Sequence, residues 1–171
     1  IQPKFITDKN PMNLFYLGHA LAFIPDAIMV RVQRDPRDIC LSCFSSPLAT
    51  DHTYKFDLDD CAHFASGAHQ TLEHFKPIFQ ADTRATWIDV SYEVLTKDPV
   101  QEITKLFESI GIEPHPDCFT FHNSKRAIQT ISRDQVREPM NTKSVARWQN
   151  FAHIPQFQTM ISSLNADNMI Q

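Results

Sequence analysis

A β-rich run that ends in an arginine and turns at once into a capped helix is a place where an anion can be held. Residues Val30-Arg-Val-Gln-Arg-Asp-Pro-Arg-Asp-Ile-Cys-Leu-Ser42 have that form, with Ser42 eight residues after Arg34. Ligands of α/β sheets bind beyond the carboxyl ends of the strands. A helix N-terminus there offers N–H groups and a partial positive charge. Arg34 can grip a phosphate with two prongs, and Ser42 can add a hydroxyl. The plainer alternative pairs Arg34 with Asp35 or Asp38 and leaves Ser42 facing solvent, and spacing alone favours it. Lys9, in Thr7-Asp-Lys-Asn-Pro11, stands just before a helix. It could neutralise charge on a transferring group, but on its own it reads better as a solvated lysine.

Other constellations are weaker. Cys40 and Cys43 make a C-x-x-C, but they fall mid-helix and have no second C-x-x-C beside them, so packed core thiols are the expectation over a redox pair or half a zinc site. No two of the eight histidines stand four apart in a metal motif with a carboxylate, so no metal is expected. No G-x-S-x-G elbow is present, and a serine hydrolase is unsupported. The three glycines, Gly18, Gly67 and Gly111, lie far apart, so these residues contain no glycine-rich phosphate loop.

The elements that must position Arg34 and Lys9 are marked by one repeated device. Asn10-Pro11, Asp35-Pro36 and Asp98-Pro99 each place a capping side chain before a proline, which has no N–H to orphan. The first predicted helix runs from about Pro11 to Ile24, with Leu14, Leu17, Leu21 and Ile24 on one face, and stops at Pro25. Ala27 to Gln33 reads as a strand buried on most of its length. Asp35-Pro36 opens a second helix that ends near Pro47, and a loop of small and polar residues runs from Ser45 to about Lys55.

A long helix is expected over Leu58 to Phe79, with Leu58, Cys61, Ala65, Ala68, Leu72, Phe75 and Phe79 on one face. Arg84 to Ser91 reads as a second strand. Asp98-Pro99 opens a further helix, with Gln101 three residues after the cap and Gly111 closing it. Pro114 to Asn141 is polar and long for a connection, which suggests a functional lid. Short helices follow near Ser144 to Phe151 and Gln156 to Leu164. Strands alternating with helices argue α/β with a parallel sheet.

Composition bounds the rest. The chain has 171 residues, 42% hydrophobic and 21% charged, as a single globular domain does. No apolar run approaches the ~20 residues of a bilayer span. With 16 Lys and Arg against 20 Asp and Glu, the net charge of -4 argues against a nucleic-acid coat. The four cysteines are too few and irregular for a secreted disulfide framework, and no signal peptide is read. The chain begins with Ile1, and two strands are few for such a sheet, so it reads as a piece of something longer.

Five ordered blocks then carry a resemblance. They are Thr7-Asp-Lys-Asn-Pro-Met-Asn-Leu-Phe-Tyr-Leu-Gly18, Arg34-Asp-Pro-Arg-Asp-Ile-Cys-Leu-Ser-Cys43, Val90-Ser-Tyr-Glu93, Ser132-Arg-Asp-Gln-Val-Arg-Glu-Pro-Met-Asn141 and Ser144-Val-Ala-Arg-Trp148. Together they resemble the sulfotransferases of the tetratricopeptide-linked bacterial group and, more distantly, the tyrosylprotein sulfotransferases, from Phe5 to about Phe151.

The resemblance implies a P-loop-like three-layer α/β sandwich, a short parallel sheet flanked by helices, here lacking its N-terminal strand–loop–helix. Residues 1–171 would be one partial sulfotransferase domain, its C-terminal portion, with 152–171 a terminal helix and tail. It implies transfer of a sulfuryl group from 3′-phosphoadenosine 5′-phosphosulfate, without a metal, to a hydroxyl or amine. By resemblance, Arg34 and Ser42 hold the donor's 3′-phosphate, and Tyr92 contacts the nucleotide. Lys9 and Ser132 attend the reacting sulfate. Arg133, Asp134, Gln135, Val136, Arg137 and Asn141 form the closing segment, and Arg147 precedes the final Trp. This reverses the balance of the opening alternatives for Arg34 and Ser42.

The family's phosphosulfate-binding loop and its acidic or histidine base are not found in these residues; the position two after Lys9 is Pro11. The expectation is half an active site, inactive alone. The acceptor is open among protein tyrosine, saccharide, lipid and small alcohol. Upstream tetratricopeptide repeats are expected in the parent chain. The bacterial group implies the cytoplasm, the tyrosylprotein branch the Golgi lumen. The rival reading is a catalytically inactive nucleotide-binding or interaction module of the same fold. A nucleotide kinase would need G-x-x-x-x-G-K-[ST] and Mg²⁺ ligands.

Overall fold

The computed structural model describes residues 5–24, 26–47, 52–124 and 137–170. The three cap–proline pairs do what their chemistry dictates. Asn10 Oδ1 accepts the Met12 N–H at 3.0 Å, Asp35 Oδ1 the Arg37 N–H at 2.9 Å, and Asp98 Oδ1 the Gln101 N–H at 3.2 Å. The first pair opens a 3₁₀ turn, Pro11–Tyr16, and only then α1, Leu17–Phe23. Asn13, Phe15, Tyr16 and Gly18 are poor α-formers, which accounts for the tighter start. Gly18 lets α1 approach α3 (Leu58–Ala81) closely: a Cβ there would meet the Phe75 ring at 3.3 Å.

β1, Ile28–Gln33, and β2, Thr86–Ser91, pair in parallel, with Ile28 opposite Thr86 and Gln33 opposite Ser91. Alternation puts Met29, Arg31, Trp87 and Asp89 on one face. α3 covers that face: Phe79 meets Trp87 edge-on with centroids 5.5 Å apart, and Glu73 takes Arg31 Nη1 at 2.6 Å. On the other face Val90 is buried, but Ile28, Val30 and Val32 are exposed. The expectation that β1 is buried on most of its length is therefore wrong. α4, Tyr92–Lys97, and α5, Pro99–Ser109, lie against β2, and β1's outward face has no cover among the described residues.

α2, Pro36–Ser45, follows β1 directly. α4 was not foreseen as a helix; Ser91 caps it by accepting the Val94 N–H at 3.3 Å. α5 ends as the sequence expects, at Gly111, whose φ of +68° suits glycine. The Ile112 N–H reaches the Phe107 carbonyl and the Gly111 N–H that of Glu108, a Schellman closure. The helix expected near Ser144 to Phe151 is a 3₁₀ turn, Arg147–Phe151, before α6, Pro155–Ala166.

The core sits beside the sheet, between helices. Cys40 and Leu41 of α2, Leu58, Cys61 and Ala62 of α3, and Phe157, Met160 and Leu164 of α6 form one buried cluster. Cys40 and Cys61 are core thiols, pushed up to about 12 by burial and by their thiol neighbours. The terminal helix thus completes the packing of the helix that follows Arg34.

Candidate functional site

Arg34 stands where β1 gives way to α2. Neither carboxylate of the plainer alternative holds it. Asp35 is taken by Arg37, whose Nη2 lies 2.6 Å from Asp35 Oδ2. Asp38, 1% exposed, turns away to the late segment, where Oδ2 accepts the Ala146 N–H at 2.6 Å and Oδ1 the Trp148 N–H at 2.9 Å. Arg34 instead donates Nη2 to the Ser144 carbonyl at 2.8 Å and lays its guanidinium 4.7 Å from the Tyr92 ring centroid. Its Nε is buried and has no hydrogen-bond partner among the described residues. A buried guanidinium donor without an acceptor is rare in a finished structure.

The surroundings fix this arginine in place. Glu93 Oε1 accepts the Asp35 N–H at 2.9 Å, and its Oε2 accepts Ser91 Oγ–H at 3.1 Å, which locks the ends of both strands together. Arg37 stacks over Trp148 at 3.9 Å. Burial would raise the Asp35 carboxyl, but the Arg37 hydrogen bonds and charge outweigh it and hold the group below its ordinary value. Ala146 is left-handed, with φ +56°, beside the Asp38 clamp. Arg34 is therefore held between a strand end, a helix start and a segment 110 residues further along.

A sequence model of the sulfotransferase family matches residues 2–117. The chain belongs to the sulfotransferase family. The matched span includes Lys9, Arg34, Ser42 and Tyr92 and stops short of Ser132 to Arg147. An uncharacterized protein of Aquifex aeolicus (strain VF5) is 26% identical over 149 residues, 85% of this chain and 19% of that protein. The chain spans about a fifth of the length of that relative.

Of the residues singled out in this sulfotransferase-family sequence, the structure brings together Arg34 and Tyr92, and Arg34 bonds the carbonyl of Ser144, which opens the fifth block. Ser42 lies one turn beyond Asp38 on the same face of α2, half-buried, and its hydroxyl bonds to no described residue. Lys9 is exposed in the extended run before Pro11 and joins no described residue by a hydrogen bond or ion pair. Arg147 is exposed and lines a neighbouring cleft. Arg137 is exposed, while Asn141 bonds locally to the Pro139 carbonyl and the Lys143 N–H. Ser132, Arg133, Asp134, Gln135 and Val136 lie outside the described residues. No group of three or more metal-ligating side chains occurs among the described residues. No described helix is long and apolar enough to cross a membrane.

The sequence reading gave no role of their own to Glu93 and Arg37 and weighed Asp38 only as a partner for Arg34. Asp38 carried one signal, an acidic residue in the first turn of a helix already capped by Asp35. Nothing local showed that it would bond a segment more than a hundred residues away.

Proposed function

We propose that this chain forms the 3′-phosphate half of a sulfotransferase active site. The donor is 3′-phosphoadenosine 5′-phosphosulfate and the acceptor a hydroxyl or amine. The observation that carries the proposal is the Arg34 guanidinium, braced by Tyr92 and the Ser144 carbonyl, with a buried Nε that has no acceptor among the described residues. A phosphate oxygen would satisfy that donor, and the start of α2 adds a favourable dipole.

Arg34 and Ser42 grip the 3′-phosphate, and Tyr92 packs against the nucleotide. Arg147 and the segment from Arg133 to Asn141 close over it. The acceptor oxygen or nitrogen bonds to sulfur as the bond from sulfur to the 5′-phosphate oxygen breaks. The acceptor's proton goes to a base outside this chain, and adenosine 3′,5′-bisphosphate leaves. Lys9 and Ser132 meet charge developing on the bridging oxygen and sulfate. Arg34 binds far from the reacting sulfur, so its energy serves positioning.

The phosphosulfate cradle would come from a strand–loop–helix that docks on β1. The uncovered apolar row Ile28, Val30 and Val32 supports that placement, because parallel sheets are ordinarily covered on both faces. Residues 1–171 would then be the C-terminal portion of a cytoplasmic sulfotransferase domain, preceded by tetratricopeptide repeats in its parent chain. A nucleotide-binding module without turnover is the second reading. The exposure of Lys9, apart from the Arg34 cluster, favours it.

Calorimetric titration of the full-length protein with adenosine 3′,5′-bisphosphate tests the donor site. Arg34→Ala weakens binding by roughly 2–5 kcal/mol if that contact is buried. Equal affinity in the two proteins would end the assignment. Binding without sulfuryl transfer to any acceptor would favour the module.

A further inference from the structure

The Arg147–Phe151 turn begins on a residue that cannot cap it. Ala146 stands at the cap position, and its methyl group accepts no hydrogen bond. Ala146 is also left-handed, at φ +56° and ψ +23°. That conformation crowds an alanine Cβ and leaves a glycine free. A residue held so persists only where its surroundings over-determine it. Asp38, in the first turn of α2, provides that support. Its Oδ1 accepts the Trp148 N–H at 2.9 Å, at the second residue of the turn, where a capping side chain ordinarily accepts. Its Oδ2 accepts the Ala146 N–H at 2.6 Å. A left-handed residue beside a helical one turns its N–H groups into one concavity suited to an acceptor of negative charge. The buried Asp38 carboxylate occupies that concavity.

The consequence lies two residues earlier. The Ser144 carbonyl accepts Arg34 Nη2 at 2.8 Å. Arg34 has no carboxylate to itself, because Asp35 is taken by Arg37 and Asp38 by the turn. Tyr92 offers it only a ring face. Among the described residues, the Ser144 carbonyl is therefore the acceptor that orients the guanidinium, and the seat of the turn on Asp38 fixes where that carbonyl stands.

We propose that Asp38 is the positioning residue of the Arg34 site. It touches no ligand. It seats the turn that Ala146 cannot cap, the seated turn presents the Ser144 carbonyl, and that carbonyl aims Arg34. The ligand in question rests on the reading of Arg34 as the holder of a 3′-phosphate; the chain of contacts does not. Where the turn leaves its seat, Arg34 loses its aim, and apparent affinity falls with the fraction of molecules that keep it. Two variants attack the seat from opposite sides. Asp38→Asn keeps the volume but turns one acceptor into an N–H that faces a backbone N–H. Ala146→Val leaves Asp38 intact but puts a β-branched side chain on left-handed backbone, which such residues resist. Ala146→Gly relieves the crowding. Glu73→Ala breaks a bond of Arg31 instead and is the destabilised control.

The test uses the full-length protein, well below its melting temperature, with two readouts. The first needs no nucleotide: the rate at which phenylglyoxal modifies Arg34, followed by mass spectrometry of its peptide. Freed from Ser144, Arg34 reacts about fivefold faster in Asp38→Asn and in Ala146→Val than in the parent protein. In Glu73→Ala it reacts at the parent's rate, although that variant melts lower. The second is calorimetry with adenosine 3′,5′-bisphosphate and adenosine 5′-monophosphate. Asp38→Asn and Ala146→Val weaken the bisphosphate about tenfold and leave the monophosphate unchanged. Adding Ala146→Gly to Asp38→Asn recovers part of that loss, which a general loosening of the fold would not allow. Parent-like Arg34 reactivity in Asp38→Asn and Ala146→Val would overturn the proposal, and so would a Glu73→Ala protein that matches them. A parent protein that binds the two nucleotides equally would end the donor reading instead, and the phenylglyoxal rates would still decide whether Asp38 places Arg34.

Discussion

A carboxylate with both oxygens on backbone N–H groups and almost no solvent contact is expensive to remove. Asp38 is such a group. Its partners, Ala146 and Trp148, are 108 and 110 residues away along the chain. Asp38→Ala leaves the Ala146 and Trp148 N–H donors without acceptors. The loss expected is ~3 kcal/mol, read as a shift in the urea midpoint. Asp38→Asn, which keeps one acceptor oxygen, loses less. If Asp38→Ala melts like the parent protein, the clamp is not what holds Ser144 against Arg34. The same logic separates Arg34 from its neighbours. Arg37 has a carboxylate of its own, so the unsatisfied donor belongs to Arg34 alone of the two.

Between elements, a polar network fastens α3 to the sheet. Arg31, 7% exposed, bonds Glu73 at 2.6 Å and His69 Nδ1 at 3.2 Å, and Lys76 bonds Asp89 at 2.6 Å. An arginine has no acceptor, so His69 accepts here through Nδ1. The Arg31 hydrogen bond outweighs slight burial and lowers Glu73. At Asp89 burial would raise the carboxyl, but Lys76 and Trp87 prevail and lower it. In both, the folded value lies below the ordinary 4.5 or 3.8. The unfolded chain therefore binds more protons in acid. The contribution is complete above those ordinary values and is lost as pH falls through the folded ones. Melting temperature should fall from pH 5 to pH 3, and Glu73→Gln should flatten part of that slope. An unchanged slope in Glu73→Gln would remove this pair from the acid response.

Across the whole molecule, what was legible in the sequence was what short-range chemistry decides. Asn10, Asp35 and Asp98 cap where their proline neighbours say they must, Gly111 takes a left-handed turn, and the two strands lie where β-branched runs place them. Tyr92 was singled out through family resemblance alone, and its place beside Arg34 depends on strand ends that Glu93 ties to Asp35, 58 positions away along the chain. What local pattern cannot show is coverage. Val30 and Val32 read as buried because they are valines, but α3 lies on the opposite face. Nor does pattern show that the Arg147–Phe151 turn and α6 return to wall α2. Core and cleft both depend on that return.

The central claim is that Arg34 holds a 3′-phosphate. The most direct measurement is the thermal stabilisation of the full-length protein by adenosine 3′,5′-bisphosphate against adenosine 5′-monophosphate, with Arg34→Ala beside it. At a ligand concentration near a hundred times the dissociation constant, binding adds about 2.7 kcal/mol, several degrees for a domain of this size. The account predicts that rise for the bisphosphate alone, and its disappearance in Arg34→Ala. Equal shifts from the two nucleotides, or a shift that survives Arg34→Ala, would contradict it.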